Sequence, residues 1–354
     1  MRAVVAQARL LGAAAVVSRN RHARLAGEAV TREPRLEDTL VAGVPTMLAR
    51  PPGPGRRPAV VFANGVTARG RDHPAVVRLA YALARTGHLV AVPDPPGLAV
   101  GEIADDTVAG VTTVAGELAD LPDCAGGRVA LLGVSVGASL ALLAAEQESL
   151  AERVSLVAGF APYTDLARIV QLATTGWYPG QGAGFPYPTP PFLLLVVARS
   201  LAVGLPSRTD RALFRSALAP VGIDDPDPLA GLRTVSADGR KPAARALREL
   251  LLNTEPDRFG ERYAALPAGM RAGIDRLSPM TAAAALRAPV EIATAPQDKY
   301  FPVEEMLALQ GRAANVRVTV TATLAHAIPE LSAAALADLL RLDGWGVRVL
   351  AAMR

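Results

Sequence analysis

The sequence predicts an α/β fold, a mostly parallel, doubly wound sheet with an inserted helical cap. Three observations carry this. Six short runs of largely apolar or β-branched residues recur at 59–63, 89–92, 129–134, 154–158, 290–293 and 316–321. Amphipathic stretches separate most of them, and a segment of about 120 residues, 166–286, interrupts the alternation.

Runs of four to six apolar residues with little alternation are what a strand shows when both of its faces are buried, and helices between them supply parallel crossovers. The helical stretches are 75–86, 107–121, 138–146 and 332–342, each with apolar residues at three- and four-residue spacing. Ahead of the first run, 39–42 and 46–49 flank Gly43-Val44-Pro45 and read as an antiparallel hairpin at the sheet edge. The proline-rich segment 166–286 holds helix-like pieces at 192–203, 242–253 and 256–265 and no convincing parallel strand. So long a stretch is improbable as plain coil inside a compact domain and reads as a helical cap inserted between two strands. The organisation expected is a core at 28–165 and 287–354, the cap at 166–286, and a basic N-terminal helix at 1–27.

Composition bounds the function. With 354 residues, 51% hydrophobic and 20% charged, the chain has ample apolar surface for a packed core. The net charge of +4 is almost wholly arginine surplus, Lys241 and Lys299 being the only lysines, and Arg alternates with Asp and Glu along most of the chain. A nucleic-acid binder would cluster its basic residues, so no nucleic-acid partner is expected. One cysteine, Cys124, and four scattered histidines leave no material for an internal disulfide or a Cys-rich metal site, so neither metal nor cofactor is implied. Cys124 reads as structural.

Residues 1–27 carry five arginines and no acid, around an apolar run of eight residues, 10–17. That run is too short to span a bilayer. The reading is an amphipathic helix on the core or at a membrane surface, in a cytoplasmic chain that is not secreted.

The chemistry begins at Gly133-Val134-Ser135-Val136-Gly137, which follows an apolar run and precedes a helical stretch. Strand, Gly-x-Ser-x-Gly, helix is the order a nucleophile elbow requires, because the glycines permit a tight turn that lifts the serine hydroxyl clear of the sheet. A serine hydroxyl is a poor nucleophile without a base. His22, His73 and His88 precede Ser135, and the one histidine after it is His326, just past the last strand-like run. An orienting acid belongs on the exit loop of the preceding strand, where Asp298 stands; Asp165 and Asp94 are the rivals. Oxyanion donors should be the backbone N–H of Val136 and one from Asn64-Gly65-Val66 after the 59–63 run, with Val66 the candidate.

Seven of the chain's fifteen aromatic residues fall between Phe160 and Phe192. With Leu193-Leu194-Leu195-Val196-Val197 directly after them, they either line an apolar acyl or aryl pocket above Ser135 or pack the cap on the core. On the first reading Tyr163, Trp177 and Tyr178 join Asn64 and Gly65 as substrate contacts.

Together, Asn64-Gly65-Val66, the Gly133–Gly137 pentapeptide, Asp298-x-x-x-Pro302 and Leu324-Ala325-His326 resemble the α/β-hydrolase family, in its order Ser, Asp, His. The resemblance covers about 59–160 and 288–342, nearest to bacterial serine esterases and dienelactone-hydrolase-like enzymes. Two departures stand out: Asn64-Gly65 replaces the usual His-Gly, and Ser135 stands where dienelactone hydrolases carry cysteine, so lactone cleavage is not implied. The resemblance implies a serine hydrolase that cleaves a small-molecule carboxylic ester or thioester through an acyl-enzyme on Ser135, without a cofactor. An acyltransferase, another triad enzyme of the fold, or a catalytically silent binding module held at a membrane by the N-terminal helix are the alternatives.

Overall fold

The computed structural model describes residues 33–180, 182–222, 224–235, 241–326, 328–329 and 336–353. The segment 1–27 lies outside the described residues. Eight strands form one sheet: β1 (Arg35–Val41), β2 (Val44–Arg50), β3 (Arg57–Ala63), β4 (Leu89–Pro93), β5 (Cys124–Val134), β6 (Val154–Phe160), then, after a short hairpin of β7 (Trp177–Tyr178) and β8 (Phe185–Pro186), β9 (Val290–Thr294) and β10 (Val316–Val320). Their order across the sheet is β1-β2-β4-β3-β5-β6-β9-β10. The first three in that order pair antiparallel, and the rest are parallel.

The edge hairpin turns at Ala42 and Gly43 rather than at 43–45, with Val41 opposite Val44. Both turn residues have positive φ, 47° and 83°, as the primed turns that match strand twist require. Val44 and Pro45 thereby enter β2.

Each central strand sends alternate residues to two different cores, which is why its sequence shows no polar face. Val60 and Phe62 of β3 face one side with Val90 and Val92 of β4; Ala59, Val61 and Ala63 face the other with Leu89 and Ala91. The first side is covered by α1 (Pro74–Arg85) and the C-terminal helix. The second is covered by α2 (Asp105–Asp120) and α3 (Val136–Ala145), every residue of α3 being buried.

The chain leaves the sheet after β6 and returns at β9, its neighbour. Between them lie α4 (Leu166–Thr175), α5 (Pro191–Val203), α6 (Arg208–Leu218), α7 (Ala230–Thr234), α8 (Pro242–Leu251), α9 (Pro256–Ala264) and α10 (Ala268–Arg276). Three of these begin on a proline, which has no N–H to leave unsatisfied in a first turn. Leu193, Phe214, Leu247 and Ile274 of the insertion belong to the same hydrophobic cluster as Leu131 and Leu140, so the insertion shares one core with the sheet. After β9 come α11 (Val303–Arg312), β10 and α12 (Leu336–Ala352). The α12 helix is fixed by Trp345 against Phe160, with ring centroids 4.6 Å apart, and by a two-pronged Arg348–Glu291 ion pair at 2.9 and 3.0 Å. Among the described residues no helix is long and apolar enough to cross a membrane.

Two stability measurements follow from this packing. Leu131 is fully buried in the central strand, so Leu131→Ala should lower the unfolding free energy by about 2–5 kcal/mol in urea titrations; a loss below ~1 kcal/mol would contradict its place in the core. Glu146, at the end of α3, has a buried carboxyl oxygen with no partner among the described residues, and burial pushes its pKa up to about 9. The folded chain therefore keeps a proton there that the unfolded chain releases at ordinary carboxylate pH. The stability this proton contributes is complete in acid and is lost as pH rises toward about 9. Glu146→Gln should gain Tm over the parent progressively between about pH 5 and pH 9, whereas parallel Tm curves would show the carboxyl to be solvated.

Candidate active site

The site lies where the sheet order reverses. From β3 the chain moves outward to β4 and then back across to β5, which leaves a crevice at the carboxyl ends of β3 and β5. Asn64 follows one of these strands and Ser135 the other.

Ser135 joins β5 to α3 with φ 56° and ψ −128°, a backbone conformation that side-chain-bearing residues resist. Three glycines make the bend feasible. A Cβ on Gly137 would strike the carbonyl oxygens of Ala63 and Asn64, one on Gly133 would strike the backbone of Gly137 and Ala138, and one on Gly159 of β6 would come within 2.6 Å of the Ala138 Cβ. The first turn of α3 thus sits directly on three strands. The Ser135 N–H donates to Phe160 O at 2.8 Å, and Ser135 O accepts from Ala138 N at 2.9 Å, fixing the turn on both sides. As the first residue of α3, Val136 has an N–H without an intrahelical acceptor.

The acid and the imidazole come together as the sequence suggested. Asp298, buried in the loop after β9, has Oδ1 and Oδ2 at 2.9 and 2.8 Å from His326 Nδ1. Its Oδ1 also accepts from the backbone N–H groups of Tyr300 and Phe301, at 2.9 and 3.0 Å, and its carbonyl accepts from the Tyr187 hydroxyl. His326 has a positive φ of 55°, and its ring stands edge-on to Tyr300 with centroids 4.7 Å apart. With Nδ1 engaged, Nε2 is the nitrogen left for other chemistry. The rival carboxylates are occupied elsewhere. Asp165 accepts from Arg168 N at the start of α4, and Asp94 holds both the backbone N–H and the guanidinium of Arg71, at 2.8 and 2.6 Å.

Ser135 and His326 line one cavity of about 290 Å³, together with Asn64, Gly65, Val66 and Val136. No hydrogen bond joins the Ser135 hydroxyl to His326 among the described residues; the two meet across this shared space. Gly65 stands against the serine, since a Cβ there would lie 3.4 Å from Ser135 Cβ. Asn64 is buried, and its Nδ2 donates to Gly70 O at 3.2 Å, so its amide shapes the 64–70 loop while Asp94 anchors the same loop through Arg71.

The expected aromatic contacts need correction. Trp177 and Tyr178 do not line the cavity. Tyr178 is fully buried and donates to Glu305 Oε1 at 2.7 Å, while Trp177 pairs within the β7–β8 hairpin. Glu305 Oε2 in turn accepts from the N–H groups of Thr164 and Asp165, both at 2.8 Å; burial raises its pKa against the pull of these donors. Tyr163 lines a smaller neighbouring recess, and Phe160 packs on Trp345. Of the aromatic cluster, Phe192 faces the main cavity, while Tyr178 and Tyr187 tie the insertion to the core through Glu305 and the Asp298 carbonyl.

Leu193 and Val196, from the apolar run that follows the aromatic cluster, line the cavity, whereas several other lining residues escaped the sequence reading: Thr67, His73, Lys299, Tyr300 and Phe301. The last three adjoin Asp298, and adjacency could have flagged them. His73 was set aside as preceding Ser135; its Nδ1 accepts from Ala75 N at 3.3 Å, capping α1 at the cavity rim. The described residues that line the cavity include Lys299 and no carboxylate.

No protein-family profile matches the sequence, and no curated protein matches it significantly. Solved structures do match in three dimensions. A Mycobacterium tuberculosis puromycin-hydrolyzing peptidase aligns with a TM-score of 0.50 at 16% identity, covering 91% of this chain and 38% of that one. Porphyromonas gingivalis dipeptidyl peptidase 4 gives 0.50 at 13%, covering 94% and 37%. Pyrococcus horikoshii acylaminoacyl peptidase gives 0.47 at 12%, covering 85% and 38%. The chain spans less than two fifths of the length of each. At such identities the likeness speaks to architecture alone, and with the eight-stranded sheet and its flanking helices it shows that this chain has the α/β-hydrolase fold.

Proposed function

We propose that the protein is a serine hydrolase that cleaves a carboxylic ester or thioester with an apolar acyl or aryl group, Ser135 being the nucleophile, His326 the base and Asp298 the orienting acid. The observation that carries this reading is the Asp298-bound imidazole of His326 opening on the same cavity as a serine held in an elbow at a helix N-terminus. Within the fold we place it with serine esterases and not with lactone-cleaving enzymes of the dienelactone type, because the nucleophile is serine.

In the proposed reaction a substrate carbonyl enters between Ser135 and the 64–66 loop. The serine oxygen forms a bond to the carbonyl carbon as its proton passes to His326 Nε2, and Asp298 holds the Nδ1 proton and stabilises the resulting imidazolium. The oxyanion accepts hydrogen bonds from the N–H groups of Val136 and Val66. Collapse breaks the bond to the alcohol or thiol, which leaves with the proton from His326. Water then repeats the sequence on the acyl-enzyme and restores the serine. Contacts between serine and histidine are often long in ligand-free enzymes and tighten when substrate binds.

A fluorophosphonate probe followed by peptide mapping should label Ser135 in the parent and nothing in Ser135→Ala; an unlabelled parent would instead favour a silent binding module. On nitrophenyl esters, with nitroanilides as the amide comparison, Asp298→Asn should lower kcat about 10³- to 10⁴-fold with little change in KM. A loss under tenfold would remove Asp298 from the assignment.

A further inference from the structure

Beside the main cavity lies a second, smaller one of about 30 Å³, and Val136, Leu193, Val196 and Phe301 line both. Ile103, Leu166, Ile169, Val197 and Leu201 complete its wall and are all buried. Two lining residues bring polar side-chain atoms. Ser200 Oγ accepts from Ile103 N and donates to Val196 O, at 2.9 and 2.7 Å, so it is spent on backbone, which leaves the Tyr163 hydroxyl.

We propose that this recess is the acyl-chain subsite and that it restricts the substrate to short aliphatic acyl groups, with about three to four carbons. The proposal rests on the serine-hydrolase reading above. The leaving oxygen must lie close to His326 to receive its proton, and His326 lines the main cavity but not the recess. The alcohol therefore occupies the larger space. With the carbonyl oxygen on the Val136 N–H, the acyl chain runs past the Val136 side chain, which forms part of the recess wall. Volume sets the limit: a cavity of roughly 150 Å³ accommodates benzene and a single water needs about 10–15 Å³, so about 30 Å³ takes a terminal methyl or ethyl group and excludes an aryl ring. Val197 on α5 and Ile169 on α4 line the recess but not the main cavity, and on this proposal they limit the length of the chain.

The test is the kcat/KM profile of nitrophenyl acetate, propionate, butyrate, hexanoate and benzoate for the parent, Val197→Ala and Val197→Ile. The parent should peak at propionate or butyrate, with hexanoate and benzoate at least tenfold lower. Val197→Ala should raise the hexanoate-to-propionate ratio about tenfold, and Val197→Ile should lower it, since one methylene in an apolar pocket is worth about that much. Alkylboronic acids tested on the parent provide a second readout that needs no variant: ethyl and propyl should inhibit more strongly than hexyl and phenyl. Profiles that coincide in all three proteins, or a parent that prefers hexanoate or benzoate, would overturn the subsite while fluorophosphonate labelling of Ser135 left the hydrolase reading standing. A parent that neither labels nor turns over any ester would overturn both.

Discussion

At Ser135 the backbone takes a conformation that a residue with a side chain resists, and it persists because the surroundings leave it no alternative. Gly133, Gly137 and Gly159 let the first turn of α3 rest on β3, β5 and β6 at distances no Cβ could share. Helix α3 is buried along its whole length, so shifting it to relax one residue would disturb the shared core from the sheet to the insertion. The bend is thus balanced by burial of the helix that follows it, and the geometry around Ser135 inherits the rigidity of the sheet.

The other groups at the cavity are held in a comparable way, by elements distant in sequence. Asp298 is fixed by two backbone N–H groups of its own loop and by the Tyr187 hydroxyl on its carbonyl. Through Tyr187 on one side and Tyr178–Glu305 on the other, the β7–β8 hairpin region clasps the segment that runs from the acid loop into α11. The insertion therefore supplies α5 to the cavity wall and also steadies the carboxylate behind the imidazole. Asp94 does the corresponding service for the 64–70 loop through Arg71.

Much of this was legible in the sequence because the signals were local. Strands buried on both faces show as apolar runs, and all six parallel runs became strands. A Gly-x-Ser-x-Gly between strand and helix, a single histidine downstream and an acid in the exit loop before it left few choices, and of the three acids Asp298 is the one paired with His326. The illegible parts depend on distant partners. Nothing near Tyr178 in sequence indicates that its hydroxyl meets Glu305, so the sequence left the aromatic cluster open between lining the cavity and packing on the core, and only the distant partner decides for Tyr178. Gly159 shows no local sign of its role, since the constraint comes from Ala138 across the sheet. In the insertion, α4, α6, α7 and α10 were not marked out; α6, α7 and α10 each start one or two residues after a proline, which shortens the window in which helical periodicity can be seen, while α4 lies in the proline-free stretch 163–178.

On the proposed reading, a tetrahedral centre on Ser135 would meet two backbone donors on one side and an imidazole backed by a carboxylate on the other. A crystal structure of the protein covalently modified at Ser135 by a small alkyl phosphonate tests it most directly. The phosphonyl oxygen should lie within hydrogen-bond distance of the Val66 and Val136 nitrogens, with His326 Nε2 directed at the serine or leaving-group oxygen and Asp298 still on Nδ1. A phosphonyl oxygen directed away from both nitrogens, or an imidazole turned out of the cavity, would contradict it.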